Sequence, residues 1–112
     1  MVTHVVQVEQ DREVLQVVQG EVDRLGLSSA AITLIGAVKE AEVSVMAKDD
    51  ENVDHVRRYE QPMELSGTGE VVAGRVHLHV VLGGEDVTVA GHLHRAVVGG
   101  FFVRAYLTAL GE

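Results

Sequence analysis

The chain has 112 residues, the size of one ordinary domain, and we expect residues 1–112 to fold as one unit. It contains no cysteine, which excludes disulfides, thiolate nucleophiles and cysteine-ligated zinc. Its formal charge of −8 and its 4% aromatic content argue against direct DNA binding by the chain alone, because such binding depends on neutralising phosphates.

The N-terminal segment has neither the basic region nor the apolar region of a signal peptide. No stretch approaches the ~20 apolar residues of a membrane span. We therefore expect a cytoplasmic protein without membrane association, and the lack of cysteine is compatible with a reducing compartment.

The first elements are predicted to be a strand and a helix. Residues 4–8 are rich in valine, which favours a strand. Apolar side chains then recur at helical spacing through residues 10–25, with Asp11 as the expected N-cap and Gly26 as the expected stop. The helix is amphipathic, and we interpret its apolar face as core packing.

The rest of the chain predicts strands in succession. Residues 30–36 form a continuous apolar run, typical of a strand covered on both faces. Residues 37–46 follow as a second strand after a turn or bulge at Gly36. Residues 53–60 are expected to form a strand or an irregular edge. Further strands are expected at residues 64–73, 75–82 and 87–94, followed by a strand-like stretch at 97–110. The predicted class is α+β, with a largely antiparallel sheet of six or more strands and one or two helices.

The most informative segment is a predicted hairpin spanning residues 75–94, with its turn at residues 83–86. If Leu82 pairs with Val87, one face of the hairpin carries only apolar residues and glycine. The other face then carries four of the six histidines of the chain, with His77 directly opposite His92, His79 diagonal to His92, and His94 beside it.

Three imidazoles on one rigid face are suited to a divalent cation. Positions i and i+2 of one strand supply two ligands, the neighbouring strand supplies the third, and a tetrahedral zinc keeps one open position. Nickel, copper or iron also accept imidazole. A solvated polar face explains the same pattern without a metal, and the isolated His4 and His55 are interpreted as surface or core residues.

These motifs resemble the plants and prokaryotes conserved domain family. Its Leu-His-Leu-His-Val strand matches residues 76–80, its acidic turn matches 84–86, and its Gly-Gly-His-Leu motif matches 90–93. Upstream, residues 36–38 and 64–67 match two further segments, so that the resemblance covers most of the chain. The chain departs from the family at Gln7, where an arginine is frequent, and at Ala90, and it lacks an AT-hook.

The resemblance implies a homotrimer and a metal ion held by His77, His79 and His92. Zinc is the metal expected from the resemblance. His94 has no counterpart in the family and is left open as a ligand, a supporting residue or neither. Two functions follow as alternatives. One is a binding or regulatory module that meets an unknown small ligand or protein partner and is associated with DNA through partners. The other is a small metal-dependent hydrolase or lyase using the open coordination position, with Glu64, Glu85 or Asp86 as acid or base.

Overall fold

The structure is a computed structural model, which describes residues 2–111. Within that range the chain forms one helix and eight strands. Their bounds are β1 Thr3–Val8, α1 Val14–Leu25, β2 Ser29–Val38, β3 Glu40–Ala47, β4 Asp50–Tyr59, β5 Met63–Val72, β6 Arg75–Gly83, β7 Thr88–Val97 and β8 Val103–Ala109.

All eight strands belong to one antiparallel sheet in the order β1-β8-β2-β5-β6-β7-β3-β4. The predicted class is confirmed. Helix α1 lies on one face of this sheet and contacts β1, β6 and β7. Since β1 and β6 are not neighbours, the sheet curls around the helix. We call the side without the helix the open face.

The core lies between the helix and the sheet. Val14, Val18 and Val22 are the buried residues of α1, and they pack against alternate residues of the strands. Among these buried strand residues are Ile32, Leu65, Leu78, Leu82, Leu93 and Leu107. The strict alternation of burial in β6 leaves its other side chains on the open face.

The start of the helix differs from the prediction. The helix begins at Val14 rather than residue 10, and its N-cap is Glu13, whose carboxylate accepts hydrogen bonds from the amides of Leu15 and Gln16. The predicted cap, Asp11, instead adopts a positive φ of 66° and accepts from Lys39. Glu13 is the N-cap in place of Asp11 because it also accepts a hydrogen bond from the amide of Ala96, which joins the helix to β7. The stop at Gly26, in the left-handed conformation, is confirmed.

Two strand boundaries also differ. No turn interrupts the chain at Gly36, since β2 runs through it to Val38, and glycine is needed there because the Phe102 carbonyl would collide with a Cβ. The predicted stretch at 97–110 is divided, because residues 98–102 form a loop before β8. Within residues 2–111, the helical structure has no segment of the length and apolar character needed to cross a bilayer.

Candidate metal centre

The histidine hairpin is present, but its predicted register is wrong by two residues. His79, not His77, lies opposite His92, and Leu82 pairs with Val89. A shift of two residues keeps every side chain on its predicted face, because the strand period is two. The four histidines therefore still share the open face, and Leu78, Val80 and Leu93 are buried on the other.

Strand β3 brings a further residue to the site, which sequence reasoning missed. Ser44 is paired with His92, and it is the only buried polar side chain among residues 2–111, with 4% of its surface exposed. β3 approaches β7 closely here, so that a Cβ at Gly91 would collide with the Ser44 carbonyl oxygen. The alternation of apolar and polar residues in β3 was the available signal, but it did not identify β7 as the neighbour.

His94 occupies a bulge in β7. Glu42 pairs with Arg95 and Val43 with Leu93, which leaves His94 as an extra residue without a partner in β3. Its Nε2 atom lies 2.8 Å from Ser44 Oγ, at hydrogen-bond distance. Its ring also meets the ring of His92 edge to face, with 4.7 Å between the centroids.

His77, His79 and His92 converge on one point. Each offers one nitrogen, and these three nitrogens all lie within 4.8 Å of one another. His77 Nε2 and His92 Nδ1 are 2.9 Å apart. Ligand nitrogens around a tetrahedral zinc are about 3.3 Å apart at the usual bond length. The 2.9 Å separation and the 4.8 Å limit bracket that spacing, so the three-histidine group could hold a metal ion.

His92 is the least exposed of the three. Burial, followed by the neighbouring His77, His94 and His79, lowers its pKa from the ordinary 6.5, while Asp54 acts in the opposite direction. The shift favours neutral His92, which is the form that binds a metal.

A cavity of about 480 Å³ opens beside the three histidines. Its polar lining includes Ser44 and Asp54, and Asp54 comes from β4, paired with Met46 of β3. No local sequence signal connects Asp54 with the histidine hairpin, because the connection runs through β3. A carboxylate beside an open metal position can accept a proton from a bound water.

The carboxylates considered as acid or base from the sequence lie elsewhere. Glu64 and Glu85 line a separate cavity with Met63 and Phe101, and neither lines the cavity of the histidines. Asp86 lies in the turn between β6 and β7 and accepts a hydrogen bond from Gln61, which lies between β4 and β5. His4 lies on β1, and His55 lies on β4 and is exposed, as expected for isolated histidines.

Comparison with solved structures identifies the fold. A metal-containing protein of Archaeoglobus fulgidus matches at 20% identity with a TM-score of 0.87, over 97% of this chain and 79% of the other. A protein of Bacteroides thetaiotaomicron described as a candidate DNA-binding protein matches at 22% identity with a TM-score of 0.85, over 98% and 80%. At these identities the likeness shows the fold alone.

A larger enzyme contains the same fold. The α-acetolactate decarboxylase of Bacillus subtilis matches at 12% identity with a TM-score of 0.68, over 98% of this chain but 52% of the enzyme, so that this chain spans about half of it. Comparison with curated proteins gives no significant match. The model of the Plants and Prokaryotes Conserved (PCC) domain matches residues 1–110. The chain therefore belongs to the Plants and Prokaryotes Conserved domain family.

Proposed function

We propose that this protein is a homotrimeric metal-binding module, with zinc held by His77, His79 and His92. The observation that carries the proposal is the convergence of three imidazole nitrogens, two from β6 and one from β7, within 4.8 Å on a rigid sheet. Zinc suits the donor set, since neutral imidazoles bind it in a tetrahedron and leave one position for water or a small ligand. The relative from Archaeoglobus fulgidus, described as containing a metal, supports a metal in this fold.

The open face supports the trimer. Ile35 and Val81 are exposed to 56% and 48%, and both pair with Ser66, which places them in one cross-strand row. Val5 on β1 and Phe101 in the loop before β8 add further exposed apolar surface, with 73% of Phe101 accessible. Monomeric proteins seldom leave so many large apolar side chains accessible. Burial of these residues between subunits accounts for them.

The module is proposed to act as a regulator that contacts DNA only through partners. A relative with the same fold is described as a candidate DNA-binding protein. The charge of −8 opposes direct contact of this chain with DNA, so a DNA association requires a basic partner. The partner is a protein or a small ligand that docks on the trimer, and the metal stiffens the hairpin that carries the histidines.

A second candidate function is a metal-dependent hydrolase or lyase. It is favoured by one observation, the placement of the Asp54 carboxylate in the cavity that opens beside the three histidines. The metal would acidify a bound water or polarise a carbonyl. Asp54 would accept the proton that the bound water releases. The likeness to a decarboxylase supports only the suitability of the fold for such a site.

Elemental analysis of the purified protein, combined with its native mass, tests the first proposal. We expect one zinc per chain and a mass of three chains, with the metal lost in a variant that replaces His77, His79 and His92 together by Ala. Substitution of His55 by Ala, which removes a distant exposed histidine, is the matched control. Metal content that the triple substitution leaves unchanged would exclude this site.

The enzyme is tested separately by a screen of simple ester, amide and 2-keto acid substrates with zinc-loaded and chelator-treated protein. A zinc-dependent turnover that Asp54→Asn lowers, at unchanged metal content, would favour the enzyme. Turnover that is absent, or that Asp54→Asn leaves intact, contradicts the role given to Asp54.

A further inference from the structure

We propose that Ser44 and His94 are positioning residues that hold the His92 imidazole with its Nδ1 atom toward His77. The inference rests on the proposed metal function for its purpose. The orientation itself, however, is a property of the metal-free protein. It assigns His94 a role that neither a solvated surface histidine nor a fourth ligand would have.

The starting observation is the identity of the nitrogen atoms that meet. His92 Nδ1 is 2.9 Å from His77 Nε2, so the atom that His92 offers to a metal is Nδ1. A ring flip about χ2 would replace this nitrogen by a carbon atom. The broad, two-fold χ2 preference of histidine does not by itself prevent the flip. The contact with His77 distinguishes the two orientations, because only a nitrogen can form it. A side chain packed against the ring is needed to hold the ring plane in which that contact forms.

His94 is the side chain in that place. Its ring lies nearly perpendicular to the ring of His92, at 89°, with centroids 4.7 Å apart. An edge-to-face arrangement of this kind is one of the two preferred contacts of aromatic rings. The bulge at His94 aims the ring, because the extra residue lets His94 lean toward Ser44 while Arg95 and Leu93 keep their pairing with β3.

Ser44 fixes His94 in turn. Its hydroxyl is 2.8 Å from His94 Nε2, and the serine is buried, so little water competes for this hydrogen bond. The backbone of Ser44 is paired with His92 itself. The contacts therefore run from Ser44 on β3 through His94 to His92 on β7. They are anchored in the sheet, because the backbones of Ser44 and His92 are paired.

His94 is not a fourth ligand in this arrangement. Its Nε2 is engaged with Ser44, and the group of converging nitrogens comprises His77, His79 and His92 without it. Supporting residues that orient a metal-binding histidine typically change metal affinity by tenfold to 100-fold when removed. That is the effect expected here, with the number of ligands unchanged.

The first test uses the metal-free protein. Three-bond couplings and cross-relaxation of the His92 ring, measured by NMR on labelled protein, report whether one orientation is populated. We expect a single orientation in the parent chain and averaged values in Ser44→Ala and His94→Leu. Ser66→Ala, which removes an exposed hydroxyl from the same face, is the matched control and should leave His92 unchanged.

The second test is metal binding to the same variants, followed with zinc competition and with the absorption spectrum of cobalt(II). Affinity should fall about tenfold or more in Ser44→Ala and His94→Leu, while the cobalt spectrum keeps the same ligand number. His94→Phe retains the ring edge and loses the hydrogen bond, so we expect an affinity between His94→Leu and the parent.

The outcomes are distinct. An unchanged His92 orientation in both Ser44→Ala and His94→Leu overturns the inference, whether or not zinc binds. A cobalt spectrum that loses a ligand in His94→Leu shows that His94 is a ligand and also overturns it. If the parent chain binds no metal, the proposed function fails, while the NMR measurement still decides the positioning role. If Ser44→Ala does not fold, His94→Leu, which removes no core side chain, carries the test alone.

Discussion

At the scale of single residues, His92 links the two strands of the site. Strand β6 supplies two histidines, whereas β7 supplies His92 alone to the group of three. We expect His92→Ala to abolish the stabilisation by zinc, which for a ligand at 100 times its dissociation constant is about 2.7 kcal/mol. His94→Ala should lose only part of it.

Thermal melts with zinc and with chelator measure this difference, and His55→Ala serves as the control. A solvated histidine face without a metal predicts a different result. It would give the same melting temperature with zinc and with chelator for the parent chain and for every variant.

The lowered pKa of His92 predicts a pH dependence of the metal-free protein. Because the folded-state pKa lies below the unfolded value of 6.5, the unfolded chain takes up the proton first as pH falls. The contribution of His92 to stability is therefore present above pH 6.5 and is lost as pH falls through the folded-state pKa. Zinc binding should weaken in the same direction, since the ligands must be neutral.

Urea unfolding of chelator-treated protein at about pH 7.5 and about pH 5.5 measures the effect. His92→Asn should show a smaller loss between the two pH values than the parent chain. An equal loss in both proteins would mean that other groups account for the whole dependence.

At the scale of secondary-structure elements, the site depends on the close approach of β3 to β7. Gly91 has no room for a Cβ, because the Ser44 carbonyl oxygen occupies that space. We expect Gly91→Ala to push the two strands apart and to destabilise the fold by roughly 1–3 kcal/mol. Gly100→Ala is a control of the same chemistry at a position with open space.

Denaturant midpoints of the two glycine variants, together with zinc affinity, check this expectation. Gly91→Ala should lose zinc affinity as well as stability, because Ser44 and His92 face each other across the displaced strands. Equal midpoints for the two variants would show that the strands tolerate the added methyl group.

At the scale of the whole molecule, the exposed apolar residues of the open face and of the loop before β8 predict assembly. Leu107 is fully buried in the core of one chain, whereas Phe101 at 73% exposure and Ile35 at 56% remain accessible. We expect light scattering to give the mass of three chains and Ile35→Glu to dissociate them, because a buried unpaired carboxylate is costly. Val53→Glu, at an exposed apolar residue of the edge strand β4, should leave the mass unchanged.

Net charge predicts the response to nucleic acid. With a formal charge of −8, the purified protein should bind duplex DNA weakly or not at all at physiological salt. The measurement is a gel shift or fluorescence anisotropy over a range of salt concentrations. Saturable, salt-sensitive binding by the protein alone would contradict the proposal that DNA association requires a partner.

The sequence by itself determined the fold class and the faces of the strands. The alternation in residues 75–82 has a period of two, so it assigns Leu78 and Val80 to the core and His77 and His79 to the open face. This assignment holds in any register that is shifted by an even number of residues. The same property explains the error in pairing. A shift by two residues exposes and buries the same side chains, so the hydrophobic pattern could not distinguish His77 from His79 as the partner of His92.

Only the tertiary structure decided which distant residues complete the site. Ser44 and Asp54 are reached through β3, which lies beside β7 in the sheet although the two are separated by three strands in the chain. The order of strands depends on how the curled sheet covers helix α1, and local sequence carries no signal for that choice. The bulge that engages His94 with Ser44 follows from the same neighbour, so its role became visible only when β3 and β7 were paired.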